Sequence, residues 1–256
     1  MSPLGVSSGT VLRLVREAGA GARPLGSLLV AGPLAPQLVR LLVEGGDAGL
    51  VRTTGDPASA AVVVCILSGA PAPEQLTMLR AATRAGVPTV AVQMGDAGLR
   101  VPYVLPEDVV GCPPGSGFPI EEIAAAAVRG LGRDAAALAA ALPVLRTATL
   151  GTLTARCAAV AAGLAAAPWA AAAKLPLLVP LQARLLRDLD VAAGRQVPST
   201  RPELGAAVGP ELGAALAVGF AARTLVRRLP FSSRLVEAAV AAGGTLALGR
   251  LASRAR

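Results

Sequence analysis

AAVVVCIL, the stretch Ala60–Leu67, decides the fold. It is β-branched, uncharged and continuous, which suits a central strand covered on both faces rather than a half-exposed one. Ser68-Gly-Ala-Pro-Ala-Pro73 breaks it, and Glu74–Ala85 follows as a helix with Leu76 and Leu79 inward and Gly86 as its stop. Downstream, Val87–Gln93 (VPTVAVQ) reads as the next strand and Val109–Cys112 as a short one, before a closing helix at Ile120–Leu131. Glu121 and Glu122 stand at the start of that helix, where the dipole favours acids. Upstream, Ser27–Gly32 (SLLVAG) is a strand ending in its turn, Pro36–Glu44 a helix carrying Leu38, Leu41 and Leu42, and Gly49–Arg52 a weak strand. Strands alternating with helices of this length predict an α/β domain over residues 25–132, a doubly wound parallel sheet with helices on both faces. Residues 1–24 read as a separate helical segment preceding it.

Ligands of such sheets sit at the carboxyl ends of the strands, so the loops there carry the functional argument. A phosphate-binding first loop would read GxxxxGK[ST]. Here it reads Gly32-Pro-Leu-Ala-Pro-Gln-Leu38, without the Lys that reaches the phosphates or the Ser/Thr that holds Mg²⁺. Pro33 and Pro36 also remove two N–H donors that would otherwise cradle an anion. The central strand ends Leu67-Ser68-Gly69, with no Asp to support a metal. Gln93-Met-Gly-Asp96 is similar in position to the Asn-Lys-x-Asp of GTPases, which makes Asp96 a weak candidate for contact with a base edge; an Asp beside Gly at a strand end is also an ordinary turn former. Gly115-Ser-Gly117 could line a pocket or cap the helix after it. The domain is therefore expected to be GTPase-like without a P-loop, with no catalytic residue, no cofactor and no metal.

Composition narrows the chemistry further. The chain has 256 residues, 54% of them hydrophobic and 16% charged, against about 25% charged in ordinary soluble domains. Lys174 is the sole lysine, so arginine supplies the rest of the basic charge. Residues 1–132 carry 9 basic and 10 acidic groups, whereas residues 133–256 carry 15 basic and 6 acidic, so the whole +8 surplus sits in the second half. A basic surface seeks anionic partners. With Trp169, Tyr103 and three Phe as the only aromatics, stacking platforms for nucleic acid are scarce, and the hydrophobicity points to lipid instead. The absence of His removes imidazole acid–base chemistry and imidazole metal ligands. Cys65, Cys112 and Cys157 form no CxxC pair; Cys65 reads as a small buried residue. Met1–Gly9 lacks the pattern of a secretory signal, and cytoplasmic residence is expected.

Residues 133–256 read as hydrophobic, Arg-rich helices. Asp134 onward is strong helix former, interrupted by Pro143 and stopped near Pro168. Cys157–Ala173 is uncharged for 17 residues between Arg156 and Lys174, the lower limit of a membrane span, with Trp169 placed as an interfacial anchor; an Ala-rich core helix would read the same way. Leu177–Ala193 is amphipathic, with Leu178, Leu181, Leu185 and Leu189 on one face. Asp188 and Asp190, two apart on a helix, face different ways and read as surface charges rather than a carboxylate pair. Gly205, Gly209, Gly213 and Ala217 recur every four residues, a spacing that permits close helix contact. Arg223, Arg227 and Arg228 close the helix Pro210–Leu229, either complementing its dipole or meeting lipid phosphate. The last helix is expected to bury Leu235, Val236, Ala239, Val240, Gly243, Leu246 and Ala247 on one side. Arg223, Arg227, Arg228, Trp169 and Lys174 are the lipid-contact candidates.

Leu175-Pro-Leu-Leu-Val-Pro-Leu-Gln182 with Leu185, Leu186 and Ala193-Gly194, then Glu203–Leu229, then Val236–Leu251, resemble the bacterial helical domain catalogued as domain of unknown function 697, over roughly residues 140–252. The chain departs from that pattern at Leu177–Val179, where an acidic residue is usual. The resemblance implies a hydrophobic, membrane-associated domain preceded by a GTPase-like one, and carries no catalytic residue. The expectation is a non-catalytic scaffold or regulatory protein at the cytoplasmic face of the membrane, with anionic lipid or a protein as partner; the alternatives are a soluble homo-oligomeric adaptor or an unconventional GTPase.

Overall fold

The computed structural model describes residues 26–95, 100–132, 134–166, 171–195 and 234–254. Five parallel strands form one sheet: β1 (Leu28–Ala31), β2 (Val51–Arg52), β3 (Val62–Leu67), β4 (Thr89–Met94) and β5 (Val109–Cys112), in the order β2-β1-β3-β4-β5. β3 is the centre, paired to β1 from Leu28↔Val62 to Ala31↔Cys65 and to β4 from Val63↔Thr89 to Leu67↔Gln93. Every residue of β3 is buried, none more than 1% exposed, as its unbroken apolar run predicts.

The strands are linked by α1 (Ala35–Leu42) after β1 and α2 (Pro73–Arg84) after β3, and α3 (Ile120–Leu131) follows β5. The chain leaves β1 towards one edge of the sheet and leaves β3 towards the other. Right-handed crossovers therefore put α1 and α2 on opposite faces. Leu29 and Val63 pack with Ala82 and Met78, and Cys65, Leu67 and Ala91 with Leu79 and Val101, which identifies the α2 face. The alternate set, Leu28, Val30, Val64, Ile66 and Val92, is equally buried and turns the other way. The β4–β5 connection contains no α-helix among its described residues, only the 3-10 turn Pro106–Asp108; Val101 and Val104 cover the sheet there instead.

Two close approaches fix the packing. A Cβ on Gly32 would lie 2.1 Å from the Ile66 carbonyl oxygen, and one on Gly130 would lie 2.2 Å from Pro88 Cβ. Gly32 also holds φ +110, which a larger residue resists. These two glycines let the β1 turn lie on β3 and the end of α3 lie on the start of β4.

The chain divides into two compact units, one built on Arg23–Thr152 with Ala192–Gly194, the other on Leu153–Val191 and the residues from Arg195 on. The α/β unit thus runs past residue 133. α4 (Asp134–Ala141) and the 3-10 turn Pro143–Leu145 belong to it, because the Asp47 N–H donates to the Ala141 carbonyl at 2.9 Å and the turn packs on α3. Pro143 ends α4, as expected of a residue with no N–H.

The described residues of the second unit are helical: most of α5 (Arg146–Ala166) and α6 (Ala171–Ala192), and α7 (Arg234–Arg254). Leu185, Leu186 and Leu189 of α6 are buried, in line with its amphipathic pattern. Asp188 and Asp190 are each about a quarter exposed and ion-paired, to Arg184 at 3.4 Å and Arg195 at 3.7 Å. α7 departs from its expected face. Ala239, Gly243 and Ala247 are exposed, whereas Thr245 and Gly249 are buried. Contact with α5 decides this: a Cβ on Gly249 would lie 2.2 Å from Thr154 Cγ2, so the helices meet at the residue that lacks one. The buried Thr245 hydroxyl is satisfied by donating to the Ala241 carbonyl at 2.9 Å.

Candidate functional site: a cavity at the carboxyl ends of the strands

The loop after β1 is where a phosphate would rest, and four of its backbone positions offer no free donor. Pro33 and Pro36 have none, the Ala35 N–H donates to the Gly32 carbonyl at 3.3 Å, and the Gln37 N–H donates to the Leu34 carbonyl at 2.9 Å. Leu34 takes a left-handed conformation, φ 61, to enter α1, and no side chain caps the helix. The end of β3 is closed as well. Gln75 Nε2 donates to the Ile66 carbonyl at 2.9 Å, while its Oε1 accepts from the Ala72 N–H at 3.0 Å, so one amide ties α2 to the strand end. Gly32 lies against that same carbonyl. The crevice between β1 and β3 is thus occupied by the protein's own backbone.

The open space lies farther along the sheet. A cavity of about 740 Å³ is bounded by Leu34, Gln37, Arg40 and Leu41 on one side and by Met94, Gly95, Cys112–Gly115, Gly117 and Phe118 on the other. The α1 residues come at helical spacing, so they project from one face, opposite the buried Ala35, Leu38 and Leu42. The β5 wall is held locally: Cys112 Sγ donates to the Gly117 carbonyl at 3.0 Å, and Ser116 Oγ donates to the Pro113 carbonyl at 2.7 Å. Gly115 and Gly117 adopt φ 80 and 72 to make this turn. They line the cavity and leave α3 without a side-chain cap, so of their two sequence readings the pocket is the one observed.

Asp96, the candidate for base contact, lies outside the described residues, as do Trp169, Arg223, Arg227 and Arg228, and the glycine repeat from Gly205. Lys174 lies on α6. The cavity-lining Leu34, Gln37, Arg40 and Leu41 carried no signal as a site in the sequence. The available clue was negative: α1 has leucine at position 41 outside its buried stripe, next to a loop too rich in proline to hold phosphate.

Cys65 and Cys157 are pushed away from reactivity. Burial raises Cys65 from 9.0 to about 12. Burial and then the Asp188 carboxylate raise Cys157 to about 11, against the opposing charge of Arg184. Among the described residues no three His, Cys, Asp or Glu side chains stand together as a metal site.

One helical segment among the described residues, Pro143–Ala165, is long and apolar enough to cross a membrane by length and composition, with mean hydropathy 1.3. The uncharged stretch Cys157–Ala173 is not a single described helix, since α5 ends at Ala166 and α6 begins at Ala171. The large side chains of the segment turn inward: Leu145, Leu153 and Leu164 are buried, whereas Thr147, Gly151, Ala155 and Ala159 are exposed.

No known protein family, curated protein or solved structure matches the chain.

Proposed function

We propose that this protein is a non-catalytic scaffold or regulatory protein whose α/β domain is a nucleotide-incompetent, GTPase-like docking module, and whose helical domain rests on the cytoplasmic face of the membrane. The observation that carries the non-catalytic part is the closed crevice between β1 and β3: Gly32 and Gln75 both converge on the Ile66 carbonyl, and the Ala35 and Gln37 N–H groups are engaged within the loop. Phosphoryl transfer on such a loop depends on a Lys for the phosphates and a Ser or Thr to hold the metal, and Gly32–Leu38 contains neither a Lys nor a Ser or Thr. The two thiols raised by burial lend themselves to no nucleophilic role.

The membrane part rests on the basic, apolar composition of the second half, on the apolar segment at Pro143–Ala165, and on the resemblance to the hydrophobic helical family. With its leucines turned inward, that segment suits surface association better than insertion, because a spanning helix would turn its large apolar side chains to the lipid. Anionic lipid is the partner assigned to the arginines. Flotation of the full chain with vesicles containing one-third phosphatidylglycerol tests this. Salt-sensitive binding to anionic vesicles, absent from phosphatidylcholine vesicles, is expected; a protein that stays at the bottom of the gradient in both overturns it. Titration of GTP with Mg²⁺ in a calorimeter tests the docking module, and saturable heat would restore the GTPase alternative.

A soluble homo-oligomeric adaptor is favoured by one specific observation. Thr147, Gly151, Ala155 and Ala159 on α5, and Ala239, Gly243 and Ala247 on α7, form exposed rows of small residues at four-residue spacing, which permit close helix contact. A detergent-free dimer or higher oligomer in light scattering after size exclusion, without vesicle binding, would decide for it.

A further inference from the structure

We infer that the cavity at the carboxyl ends of β1, β4 and β5 is a binding site for a small amphipathic monoanion, an apolar body carrying one carboxylate. Its volume, about 740 Å³, falls within the range of small-molecule sites. Four large apolar side chains are exposed among the described residues, and two of them, Leu34 at 50% and Leu41 at 38%, stand on its rim. Met94 and Phe118 continue the apolar wall. Exposed leucines gathered at one concavity mark a surface that gains by being covered.

The polar groups set the head group. Among the described residues Arg40 is the sole charged one lining the cavity, and its side chain makes no ion pair or hydrogen bond with any of them. A guanidinium free to engage a planar carboxylate in two parallel hydrogen bonds is the strongest recognition element present. Gln37, one helical turn before it on the same wall, offers a second donor. A polyanion such as a nucleotide phosphate is disfavoured, because one cation among the described residues faces it and the Ala35 and Gln37 N–H groups are already engaged. A neutral lipid tail would leave Arg40 unused. Leu34 contributes a further sign: it holds an uncommon left-handed conformation while exposing an apolar side chain, and unfavourable backbone geometry of this kind gathers at ligand sites. The β5 turn, braced by the Cys112 and Ser116 hydrogen bonds, gives the far wall a fixed shape before any ligand arrives.

The inference holds whether or not the helical domain meets lipid. The test is calorimetric titration of the full chain, in detergent-free buffer, with octanoate and, separately, with octanol. One saturable octanoate site is expected, with octanol at least tenfold weaker. Arg40→Gln should weaken octanoate about tenfold and leave octanol unchanged, and Leu41→Glu, which places a like charge on the rim, should abolish octanoate binding. Arg84→Gln, on α2 and therefore on the other face, should change nothing, and circular dichroism melts of all three variants should match the parent. Absence of saturable octanoate binding up to millimolar concentration overturns the inference. So does octanoate affinity that survives Arg40→Gln, or that falls equally with Arg84→Gln, since either would assign the binding to generic apolar or basic surface.

Discussion

Replacing Cys65 by Ala should make the protein more resistant to alkali, by an amount fixed by the burial of one thiol. Cys65 lies in the middle of β3 with no exposed surface, and burial raises its thiol from 9.0 to about 12. Below pH 9 the folded and unfolded chains both keep the proton, and the full stability of the buried neutral thiol is present. Between pH 9 and 12 the unfolded chain gives up the proton and the folded chain retains it. The unfolded state then binds fewer protons, so stability falls as pH rises. At about 1.4 kcal/mol per unit, the loss reaches roughly 1.4 kcal/mol at pH 10 and roughly 2.7 kcal/mol at pH 11. Cys65→Ala removes this titration and leaves a pH-independent packing cost of about 1 kcal/mol. Urea unfolding of parent and variant, followed by far-ultraviolet circular dichroism from pH 8 to 11, should therefore show the parent ahead at pH 8, the two crossing near pH 10, and the variant ahead at pH 11. Cys112, Cys157 and Tyr103 are common to both proteins and cancel in the difference. Parallel stability curves over the whole range would refute the burial argument.

Glycine substitutions should separate backbone strain from steric conflict. Gly32→Ala, at φ +110 and facing the Ile66 oxygen, should cost about 3 kcal/mol or more, whereas Gly45→Ala, at φ +70 with open space around it, should cost about 1 kcal/mol; equal shifts in thermal midpoint would contradict the close approach of β1 to β3. Gln75→Ala breaks two hydrogen bonds at the end of β3 and should cost about 1–2 kcal/mol in urea unfolding, with Gln75→Glu no better because a carboxylate cannot donate to the Ile66 carbonyl. In the helical unit Gly249→Ala should destabilise through Thr154 despite alanine's better helix propensity, and adding Thr154→Ala should recover at least 0.5 kcal/mol, about the smallest coupling expected of touching residues. A double variant no better than the sum of the two single changes would mean that α5 and α7 do not meet there.

The strands and helices of the α/β unit were legible because their signals are local. β5 and α3 fall where a short apolar run, a proline-glycine turn and two leading glutamates put them, and β3 follows from its unbroken run. The 3-10 turn Ala48–Leu50 was not, since its start depends on the Asp47 side chain accepting the Gly49 N–H at 2.8 Å, in a stretch that also suits a strand. The buried face of α7 was hidden for a different reason. An Ala- and Gly-rich helix has almost no hydrophobic contrast between its sides, so tertiary contact at Thr154 chooses the face. That the β1 loop lacks two N–H donors was legible from Pro33 and Pro36. The cavity was not, because it joins α1 to a turn more than seventy residues later, and that proximity is a property of the sheet order.

That sheet also ends abruptly on both sides. β2 has two residues and β5 four, and β5 runs directly into Pro113-Pro114. Neither border exposes a ladder of unpaired peptide groups long enough to template another strand. For a chain this rich in valine, leucine and alanine, the short borders guard against amyloid-like stacking during synthesis, when the greasy second half has not yet emerged. Among the described residues, such short borders offer an added strand few main-chain groups to pair with.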